Sequence, residues 1–158
     1  MALTGIARLG KRTKELVKTL GPGDIAIIDH DDLDRMSADA LIASGVKAVV
    51  NAAASISGRF PNAGPKMLAE AGVVLVDRAG QAVFDKLQDG DRVIVENGAI
   101  MRGDELIATG TELDLPAIET AMEKASSHLD EELEEFVSNT ASYIEKEKSR
   151  IIYDTWTP

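Results

Sequence analysis

The chain has 158 residues, enough for one domain and an appendage, and 44% of them are hydrophobic, so a substantial core can form. Its formal net charge of −10 argues against a duplex nucleic acid partner, because such binding depends on clustered Lys and Arg. Cysteine is absent, and no apolar run approaches the length of a membrane span or a signal sequence. These features predict a soluble, cytoplasmic protein without disulfides, thiolate metal sites or a membrane span.

Residues 1–20 are predicted to form a basic leader. Between residues 5 and 19, five cationic side chains stand against Glu15 alone. Apolar spacing predicts a short helix over Thr13–Leu20 that packs Leu16, Val17 and Leu20 on the core. Two interpretations of the positive charge stay open: a solvated helix face, or a patch that contacts an acidic partner or a lipid surface.

Residues 21–112 carry alternating strand and helix signals, which predict a mixed α/β domain. Glycines stop the helical patterns and prolines or polar turns open them. After residue 90 the pattern becomes purely β, and Asn97-Gly98 is a strong hairpin signal. The predicted helices are 33–44, 65–71 and 79–87, and the predicted strands are 24–29, 46–50, 73–76, 92–96, 99–102 and 105–109.

Residues 113–152 are predicted to be one long acidic helix, followed by a short tail over 153–158. Asp114 is a good N-cap, and Pro116 fits the first turn. From Asp114 to Arg150 the chain carries ten carboxylates and four Lys or Arg residues. Apolar or small residues recur at steps of three and four, which favours a coiled-coil contact with a second copy or another helical partner. The predicted contact face consists of Ile118, Met122, Ala125, Leu129, Leu133, Phe136 and Tyr143.

A Ser/Gly/Arg loop follows the buried strand at Ala48–Asn51, and a proline-opened helix pattern comes after it. This arrangement can present backbone N–H groups and one guanidinium to an anion such as phosphate or a nucleotide. The alternative is a structural loop, in which the hydroxyls satisfy backbone groups and the guanidinium pairs with a local carboxylate. The candidate anion-binding residues are Asn51, Ser55, Ser57, Gly58, Arg59 and Asn62.

A second polar cluster, DHDDLD, follows the first strand of the predicted domain. Carboxylate oxygens are the ligands that Mg²⁺ prefers, so these side chains are a candidate metal site. The competing interpretation is that Asp31 or Asp32 caps the next helix. The candidate metal ligands are Asp29, Asp31, Asp32 and Asp34.

Four blocks within residues 5–112 resemble the SteA-like proteins, a family of bacterial cytokinetic-ring proteins: RTKEL, PGDIAIIDHDDLDR, VVNAAASISGRFPNAGP and GDELIATGT. The resemblance implies a role in bacterial cell division or cell separation. Members of that family continue into a thiamin-pyrophosphokinase-like nucleotide-binding domain and a membrane helix. This chain ends at Pro158, before such a domain would begin, so the kinase activity is not expected of these residues.

The element order from Asp24 to Thr109 is similar to the swivelling β/β/α domain of phosphoenolpyruvate-utilising enzymes. The segment LQDGDRV at 87–93 matches the last hairpin of that domain. Where that domain carries a phosphorylated histidine, this chain has Ser57-Gly58-Arg59, so the resemblance implies the fold without phosphoryl transfer. The predicted fold class is therefore α/β, a swivelling-type three-layer β/β/α domain followed by one long C-terminal helix.

Together these features predict a non-catalytic interaction or scaffold module that forms a homo-oligomer or docks a helical partner through the long helix. The alternative is the N-terminal part of a thiamin-pyrophosphokinase-like or other nucleotide- or phosphate-binding protein. In that case the anion would bind at the Ser55–Asn62 loop.

Overall fold

A computed structural model describes the backbone of residues 2–59 and 61–156 and the side chains of residues 2–59 and 61–139. In this part of the chain, eight strands and five helices follow one another. Their order is β1 (Leu3–Leu9), α1 (Thr13–Leu16), β2 (Ile25–Ile28), α2 (Arg35–Ala43), β3 (Ala48–Asn51), α3 (Gly64–Glu70), β4 (Val74–Asp77), α4 (Ala82–Lys86), β5 (Arg92–Glu96), β6 (Ala99–Arg102), β7 (Glu105–Thr109), β8 (Thr111–Leu113) and α5 (Leu115–Trp156).

The strands form one sheet in the order β7-β6-β5-β1-β2-β3-β4-β8. Strands β1 to β4 pair in parallel, whereas β5, β6 and β7 form an antiparallel meander and β8 runs antiparallel to β4. β1 joins the two parts, because its first half, Leu3–Ile6, pairs with β5 and its second half, Ala7–Leu9, pairs with β2. The first strand of the chain therefore connects the parallel strands to the antiparallel meander.

Two apolar clusters lie on opposite faces of the parallel strands. On one face Ile27 and Val50 pack with Val93 and Ile100 of the meander. On the other face the neighbouring strand residues, which point the opposite way, pack with helix residues such as Leu41 of α2 and Leu68 of α3. The meander β5–β7, the parallel strands with β8, and helices α1–α3 thus form three layers, whereas α4 contributes Val83 to the cluster on the meander side. The predicted α/β fold class, with its long C-terminal helix, is confirmed.

The Asn97-Gly98 turn joins β5 to β6 as the sequence predicts. Both residues have positive φ angles, 48° and 86°, as a tight hairpin of this hand requires. A side chain at Gly98 would also collide with the carbonyl oxygen of Gly110. This position therefore requires glycine for its conformation and for the close approach of the chain beyond β7.

The sequence patterns predict neither β1 nor β8, and α1 ends at Leu16 instead of Leu20. The basic stretch that suggests a leader contains β1, which lies in the middle of the sheet. Within β1, Arg8 lies near Asp24 at 3.7 Å and Asp89 at 3.2 Å. At least this one cation therefore forms internal ion pairs.

Candidate functional site

Three loops meet where the parallel strands β2, β3 and β4 end. Backbone hydrogen bonds hold the loops together: the N–H of Leu33 donates to Ser55 at 3.0 Å, and the N–H of Ala79 donates to Asn51 at 2.9 Å. This edge is where open α/β sheets usually place their ligands. It is also where the sequence places both the candidate anion-binding residues and the candidate metal ligands.

Asn51 is the centre of this edge and is fully buried. Its Oδ1 accepts hydrogen bonds from the N–H groups of His30 and Ala53, each at 3.0 Å. Its Nδ2 donates to the carbonyl of His30 and to Oγ of Ser55, each at 2.8 Å. One side chain therefore satisfies the backbone of the loop after β2 and the backbone of the loop after β3.

Two carboxylates accept the backbone N–H groups of the Ser/Gly/Arg loop. The N–H of Ser55 donates to Oδ1 of Asp77 at 2.7 Å. The N–H of Ser57 donates to Oδ1 of Asp32 at 2.7 Å, and its hydroxyl donates to Oδ2 of the same carboxylate at 2.8 Å. Three donors that could bind an external anion, the N–H groups of Ser55 and Ser57 and the hydroxyl of Ser57, are thus already bonded to carboxylates of the chain.

The remaining candidate anion-binding residues divide between the interior and the surface. Nδ2 of the buried Asn62 donates to the carbonyls of Leu33 and Ser55, at 2.9 and 2.7 Å. Its buried Oδ1 has no partner among the described residues, and an acceptor there would repel an anion. Gly58, with a φ of 93°, and the exposed Arg59 lie on the outer side. The anion site therefore stays a prediction that rests on the guanidinium of Arg59.

Three of the four candidate metal ligands accept hydrogen bonds from different partners, and the fourth is exposed. Asp29 accepts from Gln81 at 3.0 Å, Asp32 binds Ser57, and Asp31 is exposed on the loop. Oδ1 of Asp34 accepts from the N–H of Ser37 at 3.3 Å and caps α2. Among the described residues, no group of three or more His, Asp or Glu side chains could hold a metal ion. The capping residue is Asp34 and neither Asp31 nor Asp32, because α2 begins at Arg35.

His30 is a polar residue of this edge that sequence reasoning did not select. Its Nδ1 lies 3.2 Å from Oγ1 of Thr13, and its Nε2 lies 3.6 Å from Oδ1 of Asp34. A cavity of about 290 Å³ lies beside this trio, between α1 and α2. Thr13 is only 3% exposed, so its hydroxyl orients the imidazole within the fold. The pairing with Thr13 depends on α1, which follows the unpredicted strand β1.

The cap at Asp34 gives a pH-dependent prediction. Partial burial alone would raise the pKa of Asp34, but the hydrogen bonds from Ser37 and the nearby His30 lower it overall. A lowered pKa means that the cap stabilises the fold above the usual aspartate pKa of about 3.9 and loses this effect as the pH falls through the folded-state value. We expect Asp34→Ala to lower the free energy of unfolding by about 1 kcal/mol at pH 7.

Urea denaturation of wild type and Asp34→Ala at pH 7 and at pH 3 measures this effect, and the difference between them should shrink at the lower pH. Asp34→Asn is the matched control, because asparagine also caps helices but does not titrate. A difference that is the same at both pH values would contradict the assigned role of the carboxylate.

Helix α5 begins on the domain and then extends beyond it. Ile118 and Ala125 are fully buried and Leu129 is half-buried, and α5 contacts α3. From residue 130 to residue 139 every side chain is exposed, among them the large apolar residues Leu133 at 48%, Phe136 at 65% and Val137 at 61%.

The predicted contact face therefore divides into two parts. Ile118, Met122, Ala125 and Leu129 are buried or half-buried, whereas Leu133 and Phe136 are exposed. Tyr143 lies outside the residues whose side chains are described. Val137 belongs to the exposed apolar face, although the sequence pattern did not select it.

Across the described ranges, no helix combines the length and the hydropathy that a bilayer crossing needs.

The fold and this edge define an α/β domain that carries an extending, partly apolar helix. No protein-family model matches the chain, and no curated protein matches it. Among solved structures, the chain is similar to 3-isopropylmalate dehydratase (leuD) from Methanocaldococcus jannaschii. The identity is 11% and the TM-score is 0.45, over 89% of this chain and 99% of that chain. This likeness does not bear on activity or on family.

Proposed function

We propose that this protein is a non-catalytic interaction module, in which the α/β domain supports a helix that self-associates or docks a helical partner. The observation that carries the proposal is the exposed apolar face formed by Leu133, Phe136 and Val137. We call these three residues the apolar face of α5. They lie beyond the part of the helix that packs on the domain, and none of the described residues covers them.

The physical reason is that most helices in water depend on tertiary packing of an apolar face. Three large apolar side chains at positions i, i+3 and i+4 lie on one side of a helix. Covering each of them with another helix would contribute roughly 1–2 kcal/mol. Such a contact stabilises both the association and the helix itself.

The polar edge of the sheet supports a non-catalytic role by its hydrogen bonding. Asn51, Asp32 and Asp77 use their polar atoms to join the loops after β2, β3 and β4. The described residues of this edge thus bind one another. We propose that the edge is structural and that function lies in α5.

The proposed setting is the bacterial cell-division or cell-separation apparatus, on the cytoplasmic side. This setting rests on the resemblance of four sequence blocks to SteA-like proteins. The solution behaviour of α5 can be tested without reference to that setting.

We expect the double variant Leu133→Glu/Phe136→Glu to be a monomer under conditions in which the wild type is a dimer or larger, because two carboxylates would have to be buried in the contact. Sedimentation equilibrium gives the mass directly. The matched control is Ser127→Glu/Ser138→Glu, which adds the same charge at exposed positions on the opposite side of the helix. A wild type that is monomeric at high concentration would contradict self-association, and an unchanged mass of the Leu133/Phe136 variant would contradict the role of the apolar face.

A further inference from the structure

We infer that the partner of α5 is a second copy of this chain whose helix runs antiparallel to the first, with the twofold axis close to residue 140. The inference deepens the proposed function and rests on it, since it names the occupant of the apolar face and its orientation. Two independent features of the molecule lead to it: the position of the domain along the helix, and the distribution of charge.

The first feature is that one side of α5 serves both the domain and the apolar face. The buried residues Ile118 and Ala125 and the half-buried Leu129 belong to the same stripe as Leu133 and Phe136, at successive steps of three, four or seven. The domain therefore lies on the side of the helix toward which a second copy would pack.

This geometry disfavours a parallel pair. In a parallel pair both domains would lie at the same level, between the two helices, and would hold the helices apart. In an antiparallel pair the two domains lie at opposite ends, and the segments beyond residue 130 can meet. A twofold axis across the helices produces this arrangement with the same surface on each copy.

The second feature is the charge along the extending segment. Residues 130–135, DEELEE, carry five carboxylates, whereas residues 146–150, KEKSR, carry three cationic side chains and one carboxylate. We call these the acidic block and the basic block. Both lie within α5, whose backbone is helical to Trp156.

A parallel pair would place the two acidic blocks side by side, ten carboxylates in all, and like charges at such distances repel. In an antiparallel pair centred near residue 140, midway between the two blocks, each acidic block lies along the basic block of the other copy. The charges thus favour the same orientation as the position of the domain, and they also set the approximate centre of the pair.

The chain has no cysteine, so a single introduced cysteine can be spin-labelled without background. We would label Ser127→Cys and Ser138→Cys separately in the full chain, since both positions are exposed and lie away from the apolar face. Pulsed electron–electron double resonance then gives the distance between the spin labels of the two copies. Dilution with unlabelled chain, which should reduce the signal, verifies that the distance is intermolecular.

In an antiparallel pair, each residue of distance from the axis adds about 3 Å to the separation along the helices, twice the helical rise. We therefore expect the labels at residue 127 to be roughly 30 Å farther apart along the helices than the labels at residue 138. A parallel pair would give the same short distance at both positions.

The measured mass and the two label distances together distinguish a failure of this inference from a failure of the proposed function. A dimeric mass with a long distance at residue 127 and a short one at residue 138 supports both. A dimeric mass with equal distances at the two positions, or with no measurable coupling at either, overturns the antiparallel arrangement and leaves self-association standing. A monomeric mass overturns the second copy as the occupant and leaves only a different helical partner for the apolar face.

Discussion

Asn51→Ala is expected to lower the free energy of unfolding by about 3–5 kcal/mol, since it removes a buried side chain that makes four hydrogen bonds. The N–H and the carbonyl of His30 and the N–H of Ala53 would lose their partner at the edge of the core. Each buried polar group left without a partner costs roughly 1–3 kcal/mol, unless a water molecule replaces the amide.

Urea denaturation followed by circular dichroism measures this change, provided that the slope of the transition stays constant. Ser55→Ala is the matched control. It lies in the same buried network and removes only one acceptor of Asn51, so its cost should be about 1 kcal/mol. If the two variants were equally stable, the amide of Asn51 would not be what joins the loops after β2 and β3.

The βα units of the domain can be predicted from the sequence because their signals are local. Apolar runs for β2, β3 and β4 are separated by helical patterns that stop at Gly45 and Gly72, both of which have positive φ angles. β1 lacks such a signal. It contains Gly5 and Arg8, its second half pairs with the next strand, β2, and its first half pairs with β5, which lies far along the chain. Pairing of this kind depends on tertiary structure and leaves little trace in a local pattern.

The polar edge of the sheet shows a similar limit of prediction from sequence. The residues of the Ser55–Asn62 loop are close in sequence, so a cluster could be predicted there. Their partners are Asp32 of the loop after β2 and Asp77 at the end of β4, at separations of about two dozen residues. Because the spacing of residues does not show whether a backbone N–H is already bonded, the sequence suggested donors for an anion where the structure has internal carboxylates.

The long helix could be predicted from its period and its caps, and Ala117 N–H does donate to the predicted N-cap Asp114 at 2.9 Å. The point at which α5 leaves the domain could not be predicted from the sequence. It depends on where α3 ends and on how far the domain extends along the helix axis, and both are properties of the assembled fold. Leu129 and Leu133 belong to one sequence pattern, yet the first is half-buried and the second exposed.

Gly64→Ala is expected to destabilise the domain by roughly 3 kcal/mol or more, or to prevent folding, because the new Cβ would collide with backbone atoms. Gly64 is buried at the start of α3, and its Cβ would overlap the carbonyl oxygen of Leu33 and lie 2.7 Å from the carbonyl carbon of that residue. A flexible side chain could move away, whereas this backbone is held by the bond from Leu33 N–H to Ser55.

Gly72→Ala is the matched control, because Gly72 has the opposite properties. Its φ of 79° strains any other residue, but nothing lies within 4 Å of the added Cβ. The cost there should be the conformational term alone, about 1–2 kcal/mol. Thermal and urea denaturation of both variants separate collision from strain, and equal costs would contradict the close approach at Gly64.

The displacement of α3 caused by Gly64→Ala should also affect the packing of α5. α3 contacts both α2 and α5. An alanine that moves α3 away from the loop after β2 would displace the surface on which Ile118 and Ala125 are buried. If Gly64→Ala still folds, we expect the first turns of α5 to lose protection from amide hydrogen exchange, while Gly72→Ala retains it. Unchanged protection in Gly64→Ala would mean that the base of α5 does not depend on the packing of α3 against the loop after β2.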